Sequence, residues 1–121
     1  MVDGRSLLPL VRGHTSNWPI DRGILIEVTE GASTESGACE VQAIRTPSHM
    51  YGEYPYVLDS GTDTCVPSDD ADLYALSTDP FQLDNVLSTD PQGSHVIRAN
   101  LEARLQALRR CSGTQGRHAC E

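Results

Sequence analysis

From His95 to Arg110 the chain runs without a glycine or a proline, and its large apolar residues fall on one line. Ile97, Leu101, Leu105 and Leu108 are separated by four, four and three positions, the spacing that stacks side chains on one face of an α-helix. Arg98, Glu102, Gln106, Arg109 and Arg110 lie off that stripe, and the two terminal arginines suit the negative end of the helix dipole. Ser94 stands where an N-cap belongs. A helix with a single apolar stripe must bury it against one partner surface, so the rest of the chain has to supply that surface.

The supply is a set of strands. Between Gly23 and Glu30, Ile24, Ile26 and Val28 alternate with Leu25, Glu27 and Thr29, the period of a strand with one clearly apolar face. A second strand is expected from about Cys39 to Thr46, ended by Pro47. A third is expected from about His49 to Leu58, with Pro55 making its latter half an edge or a bulge, and a fourth from about Asp72 to Leu76. Ser60 to Asp72, acidic and glycine-containing, reads as a loop that Cys65 tethers to Cys39. Gly4 to Arg12 reads as a short helix capped by Asp3, limited by Pro9 and stopped at Gly13, followed by a polar connector from His14 to Arg22. The expected fold is α+β: an antiparallel four-stranded sheet with one C-terminal helix packed on a face.

The stretch Leu73 to Val86 is more specific. Leu73-Tyr74-Ala75-Leu76 is a β-compatible run, Asp79 is placed to accept backbone N–H groups of the turn after it, and Pro80 fits a first helical position. With Asn85 closing the series, Tyr74-Ala75-Leu76 followed by Asp79-Pro80-Phe81-Gln82-Leu83-Asp84-Asn85 resembles the sulfatase family, whose C-terminal part has a Tyr-Asp-Leu strand meeting Asp-Pro-x-(Glu/Gln)-x-x-Asn. Three further stretches carry the resemblance in the same order. Asp3-Gly4-Arg5-Ser6-Leu7-Leu8-Pro9 looks like the Asp-Gly-x-Ser-Leu-Leu-Pro segment that closes the family's catalytic domain. Ala43-Ile44-Arg45-Thr46-Pro47 with Tyr51-Gly52-Glu53-Tyr54 is similar to its Val-Arg-Thr…Tyr-Lys-Tyr-x-x-Tyr strand pair, and a closing helix ending in Cys111, with Cys120 beyond, looks like its disulfide tail. Met50 stands where the family usually has Lys, Ala75 where it has Asp, and Cys39 and Cys65 are outside the common pattern.

The resemblance implies that residues 1–22 are the end of a catalytic-domain-like segment plus a connector, and that 23–121 are a sheet-plus-helix subdomain. It implies a noncatalytic C-terminal portion of a secreted bacterial-type sulfatase, completing the fold and bordering the active-site cleft. The family's formylglycine, made from the Cys of Cys-x-Pro-Ser-Arg, and its divalent cation, usually calcium, belong to the N-terminal part of the family's chain. No cofactor is therefore expected here, and the segment alone is not expected to be active. Cys65-Val66-Pro67-Ser68 copies four letters of that signature, but Asp69 replaces the Arg and the following Thr-Gly is missing, so Cys65 reads as a disulfide candidate.

Charge narrows the partners. The chain carries a net charge of −8, which is against nucleic acid, anionic membranes and any main grip on a sulfated substrate. All nine basic side chains are Arg. With 121 residues and six aromatics the core is modest, so disulfides or a partner surface are expected to help. Four cysteines, Cys39, Cys65, Cys111 and Cys120, show no Cys-x-x-Cys pair, so two disulfides and an oxidising, secreted or cell-envelope compartment are favoured over a Cys111–His118–Cys120 metal site. No export leader is visible, because Pro9 and Arg12 break the apolar run from Leu7 to Val11. His14, His49, His95 and His118 show no ligand spacing, and Asp63, Asp69, Asp70 and Asp72 lack the order of a calcium loop. The partner expected is the parent catalytic domain, with self-association when the segment is isolated; the alternative is a free-standing disulfide-stabilised secreted protein-binding module. Exposed Leu7, Leu8, Leu10 and Val11 would favour the first.

Overall fold

The computed structural model describes residues 7–14, 21–28 and 38–111. Within them the chain forms α1 (Leu8–Val11), β1 (Ile24–Val28), β2 (Ala38–Arg45), β3 (His49–Asp59), β4 (Thr64–Ala75), α2 (Val86–Thr89) and α3 (His95–Arg110). The four strands form one antiparallel sheet in the order β1-β2-β3-β4, and α3 packs across one face. This is the expected α+β architecture.

The register explains where the core lies. Leu25 pairs with Ile44, Ile44 with Tyr51 and Tyr51 with Leu73, so one row of apolar side chains crosses all four strands on the helix side. Leu101 and Leu105 close over that row, and Leu108, Val86 and Leu87 pack at its margins. Fully burying each such leucine contributes about 1.5–3 kcal/mol. Gly23 leads into β1 beside the core; a Cβ there would lie 2.7 Å from Ile44 Cδ1, whose flexible tip would have to shift, and at ordinary contact distance, 3.4 Å, from Leu108 Cδ1.

Three local expectations are corrected. The segment from Thr64 to Asp72 is strand, not loop: β4 is twelve residues long and its turn with β3 is confined to residues 60–63. Asp69, Asp70 and Pro67 imitate a turn in sequence, yet β4 is an edge strand, where charges and a proline are tolerated and discourage further pairing. Second, Asp79 and Pro80 do not open a helix. Gln82 has φ 57°, which interrupts helical geometry, and the helical turn α2 starts later with Asn85 as its N-cap. Third, Ser94 occupies the N-cap position of α3 without capping it; its Oγ donates to the Asp90 carbonyl at 2.7 Å.

Pro55 produces a bulge, as its missing N–H requires. Tyr54 pairs with Asp70 but Tyr56 with Pro67, so Ser68 and Asp69 together face Pro55. At that end a disulfide joins Cys39 of β2 to Cys65 of β4, with Cα atoms 6.0 Å apart. Cys111 is also disulfide-bonded, while Cys120 lies outside the described residues, as do Asp3, Gly4 and Ser6. The part of the expected leading helix that is described is the single turn α1, followed by Gly13 at φ 76°, a left-handed position that glycine adopts without strain.

Candidate functional site

Asn85 makes four side-chain hydrogen bonds. Its Oδ1 accepts the N–H of Leu87 at 3.0 Å, capping α2, and that of Leu73 at 3.1 Å, on the edge of β4. Its Nδ2 donates to Asp72 Oδ1 at 2.6 Å and to the Ala71 carbonyl at 3.3 Å. Asp72 Oδ2 in turn accepts the Tyr54 hydroxyl at 2.8 Å. Burial, followed by the Asp72 carboxylate, raises the pKa of both Tyr54 and Tyr74. Asp79 accepts the Asp84 N–H at 2.9 Å, and backbone N–H groups of Asp84 and Leu83 hold its carboxyl below the ordinary range. Asp79 and Asn85 thus bracket an excursion that leaves β4 and returns to its edge. This chemistry is spent on the fold: Asn85 uses both its oxygen and its nitrogen internally.

Two concavities flank α3. The first, about 530 Å³, lies against the β3–β4 hairpin and includes Tyr51, Glu53, Asp69, Asp70, Arg98 and Glu102 in its lining. The Tyr51 hydroxyl donates to Glu53 Oε1 at 3.0 Å; burial, then Glu53, pushes its pKa up to about 12 against the opposing pull of Arg98. One guanidinium among four carboxylates makes a surface that repels sulfate or phosphate esters. The second, about 330 Å³, lies on the opposite flank, between Val96, Ile97, Asn100 and Arg104 of α3 and the β2–β3 turn at Thr46, Ser48 and His49. Thr46 Oγ1 locks that turn, accepting the His49 N–H at 2.9 Å and donating to the His49 carbonyl at 3.1 Å. Ser48 Oγ lies 2.9 Å from His49 Nδ1, but among the described residues no carboxylate orients the ring, so the pair lacks the third member of a nucleophile–base–acid relay. Arg104 Nη1 reaches Asp21 Oδ2 at 3.2 Å and Arg109 reaches Glu27 at 3.3 Å, pinning α3 to the β1 side.

The remaining candidates are placed as follows. Leu7, Leu8 and Val11 are exposed around Pro9, as is Arg45 at the end of β2, while Thr46 is buried. Leu76 N donates to the Ser48 carbonyl at 2.9 Å, extending the sheet by one step, and Pro80 is exposed. Cys65 is consumed by its disulfide, which removes the decoy nucleophile. His14 and His95 are exposed and His118 is outside the described residues. Among the described residues no three His, Cys, Asp or Glu side chains gather to hold a metal ion, and no helix is long and apolar enough to cross a membrane. Sequence reading missed the Tyr51–Glu53–Arg98 cleft, for which no local signal exists because its members come from separate elements. It also missed the Asp72–Tyr54 bond, which only the strand register reveals.

Compared with solved structures, this fold matches the phosphonate monoester hydrolase of Agrobacterium radiobacter with a TM-score of 0.57 at 22% identity, over 90% of this chain and 21% of the hydrolase chain. A weaker likeness, TM-score 0.44 at 17% identity, is to a protein of the core genetic locus for glycosaminoglycan metabolism of Bacteroides thetaiotaomicron, over 87% of this chain and 22% of that one. The chain therefore spans about a fifth of the length of each. No protein-family model matches the sequence, and a comparison with curated proteins finds no match. The first likeness defines the fold: a four-stranded sheet carrying one long helix occurs as a fifth of a hydrolase chain.

Proposed function

We propose that this chain is the noncatalytic C-terminal portion of a sulfatase-type hydrolase, completing that enzyme's fold and bordering its active-site cleft. The observation that carries the reading is the fold match that takes in nine-tenths of this chain but only a fifth of an ester hydrolase's. The ordered residues that resemble the sulfatases lend support, since Tyr74, Asp79 and Asn85 belong to one hydrogen-bonded junction between β4 and α2. Phosphonate monoesters and sulfate esters share a tetrahedral anionic centre, so the two lines of support agree on a reaction class.

In this reading residues 1–22 are the end of the catalytic-domain segment and the connector, and 23–121 are the subdomain. The formylglycine and the divalent cation reside in the parent's catalytic part, which is the partner of this chain. The Cys39–Cys65 disulfide supports an oxidising compartment, hence secretion or residence in the cell envelope. The test is the DNA upstream of the Met1 codon in its native locus. An open frame running back through a Cys-x-Pro-Ser-Arg series and an export signal is expected. A stop codon and ribosome-binding signal directly ahead of Met1, or turnover of an aryl sulfate by the purified 121-residue chain, would sink the reading.

A further inference from the structure

We infer that the catalytic body docks on one particular end of this unit: the end where β1 starts and β4 stops. The inference rests on the reading of the chain as a fifth of a larger hydrolase. Three independent observations meet there. The first is exposed apolar surface on three separate elements. Ile24 is 58% exposed at the start of β1, Val96 is 76% exposed on α3, and Phe81 and Leu83 are 80% and 85% exposed on the turn that follows β4. The second is shape: the 330 Å³ concavity between the α3 flank and the Thr46–His49 turn lies at this end, with Val96, Ile97 and Leu101 offering an apolar wall to a side chain from the partner. The third is connectivity. The polypeptide enters β1 at this end through Asp21, so a body joined ahead of β1 in the chain is connected here.

Among the described residues the other end is less apolar, with Val28 and Tyr56 exposed only to 40% and 43%. Its β3–β4 turn is polar throughout, and the adjoining cleft is lined with carboxylates. An apolar patch rimmed by polar groups marks a protein contact, whereas a closed polar turn marks solvent.

The experiment is hydroxyl-radical footprinting of the complete polypeptide read from the native locus, under conditions where it sediments as a single species. Two aromatic side chains of the same molecule are compared: Phe81 at the proposed contact and Tyr56 toward the opposite end of the sheet, both exposed in this unit. Phe81 is expected to oxidise far more slowly than Tyr56 in the complete polypeptide. If Phe81 oxidises as fast as Tyr56 while the polypeptide hydrolyses an aryl sulfate, the docking surface is overturned and the functional reading stands. If no hydrolase frame continues upstream of Met1, the functional reading falls and the docking surface falls with it.

Discussion

At one end of the sheet the chain closes on itself, and at the other it stops short. The β3–β4 turn is self-sufficient: Asp59 Oδ1 accepts the N–H groups of Gly61 and Thr62 at 2.7 and 3.2 Å, Asp63 takes the left-handed conformation at φ 53°, and Cys39–Cys65 ties the strands together behind it. At the opposite end the hydrogen bonding is equally complete, through Thr46 and His49 and through Asp79 and Asp84, yet the side chains that cover it are apolar and face water. Backbone satisfaction and surface chemistry are therefore separate properties. Among the described residues the two ends differ in how much apolar side chain they leave in water, not in how well their backbone is bonded.

The disulfide should show the largest effect, because it closes the polar end covalently. Cys65→Ser is expected to destabilise the chain by about 3.5 kcal/mol, from the loop entropy of a 26-residue separation. Urea midpoints in oxidising buffer measure this. An unchanged midpoint would mean the polar end is held by its hydrogen bonds alone.

Asn85→Ala comes next. It leaves the Leu73 and Leu87 N–H groups without their acceptor and the Asp72 carboxylate without one of its donors, at a cost of about 1–3 kcal/mol. Thermal melts read the loss, and amide exchange at Leu73 and Leu87 localises it. If exchange quickened across all four strands equally, the junction would be part of the cooperative core and not a clasp on the β4 edge.

This junction also marks how far sequence reading reaches. The stripe Leu101, Leu105, Leu108 and the strand-like alternation around Ile24 were enough to expect a sheet under one helix, but the expected apolar face of β1 was the wrong one: Leu25, not Ile24, Ile26 and Val28, joins the row beneath α3, and Ile24 and Val28 are exposed. Ile97 belongs to the same stripe in sequence but is 39% exposed, since it lines the concavity beside the β2–β3 turn instead of the core, and sequence spacing says nothing about where a sheet ends. Most of β4 was illegible for the opposite reason. Its proline and aspartates match a loop, and only pairing with β3 makes them an edge strand. Asn85 and Asp79 were recognised as a pattern, but which of them caps α2 depended on the backbone of Gln82. The acidic cleft was invisible because Glu53, Asp70 and Arg98 become neighbours only after folding.

Alkaline titration gives a smaller effect, on the flank facing the polar end. Burial and Glu53 raise the Tyr51 pKa from 10.0 to about 12, so the native state keeps a proton that the unfolded chain releases. Stability from this group is fully present below pH 10 and is lost as the pH rises to about 12. Urea midpoints across that window should fall for the wild type and fall less for Tyr51→Phe. Parallel curves would place the alkaline transition elsewhere, with Tyr54 the next group to examine.

The smallest change in stability is expected at the apolar end, and it is the one that tests what that end is for. Phe81→Ser with Leu83→Ser removes two side chains that already stand in water, so the folded state loses little contact and the unfolding free energy should change by no more than about 0.5 kcal/mol per site. Association should respond quite differently. With no catalytic body present, the apolar end is the surface most easily covered by a second copy, despite a net charge of −8 that opposes self-contact. Sedimentation of the 121-residue chain should then depend on concentration, more steeply in high salt where repulsion is screened, and the double substitution should abolish that dependence. A wild-type chain that stays monomeric at every concentration and salt level would mean that scattered exposure of Ile24, Phe81, Leu83 and Val96 does not add up to a contact surface. The two ends would then differ in composition but not in role.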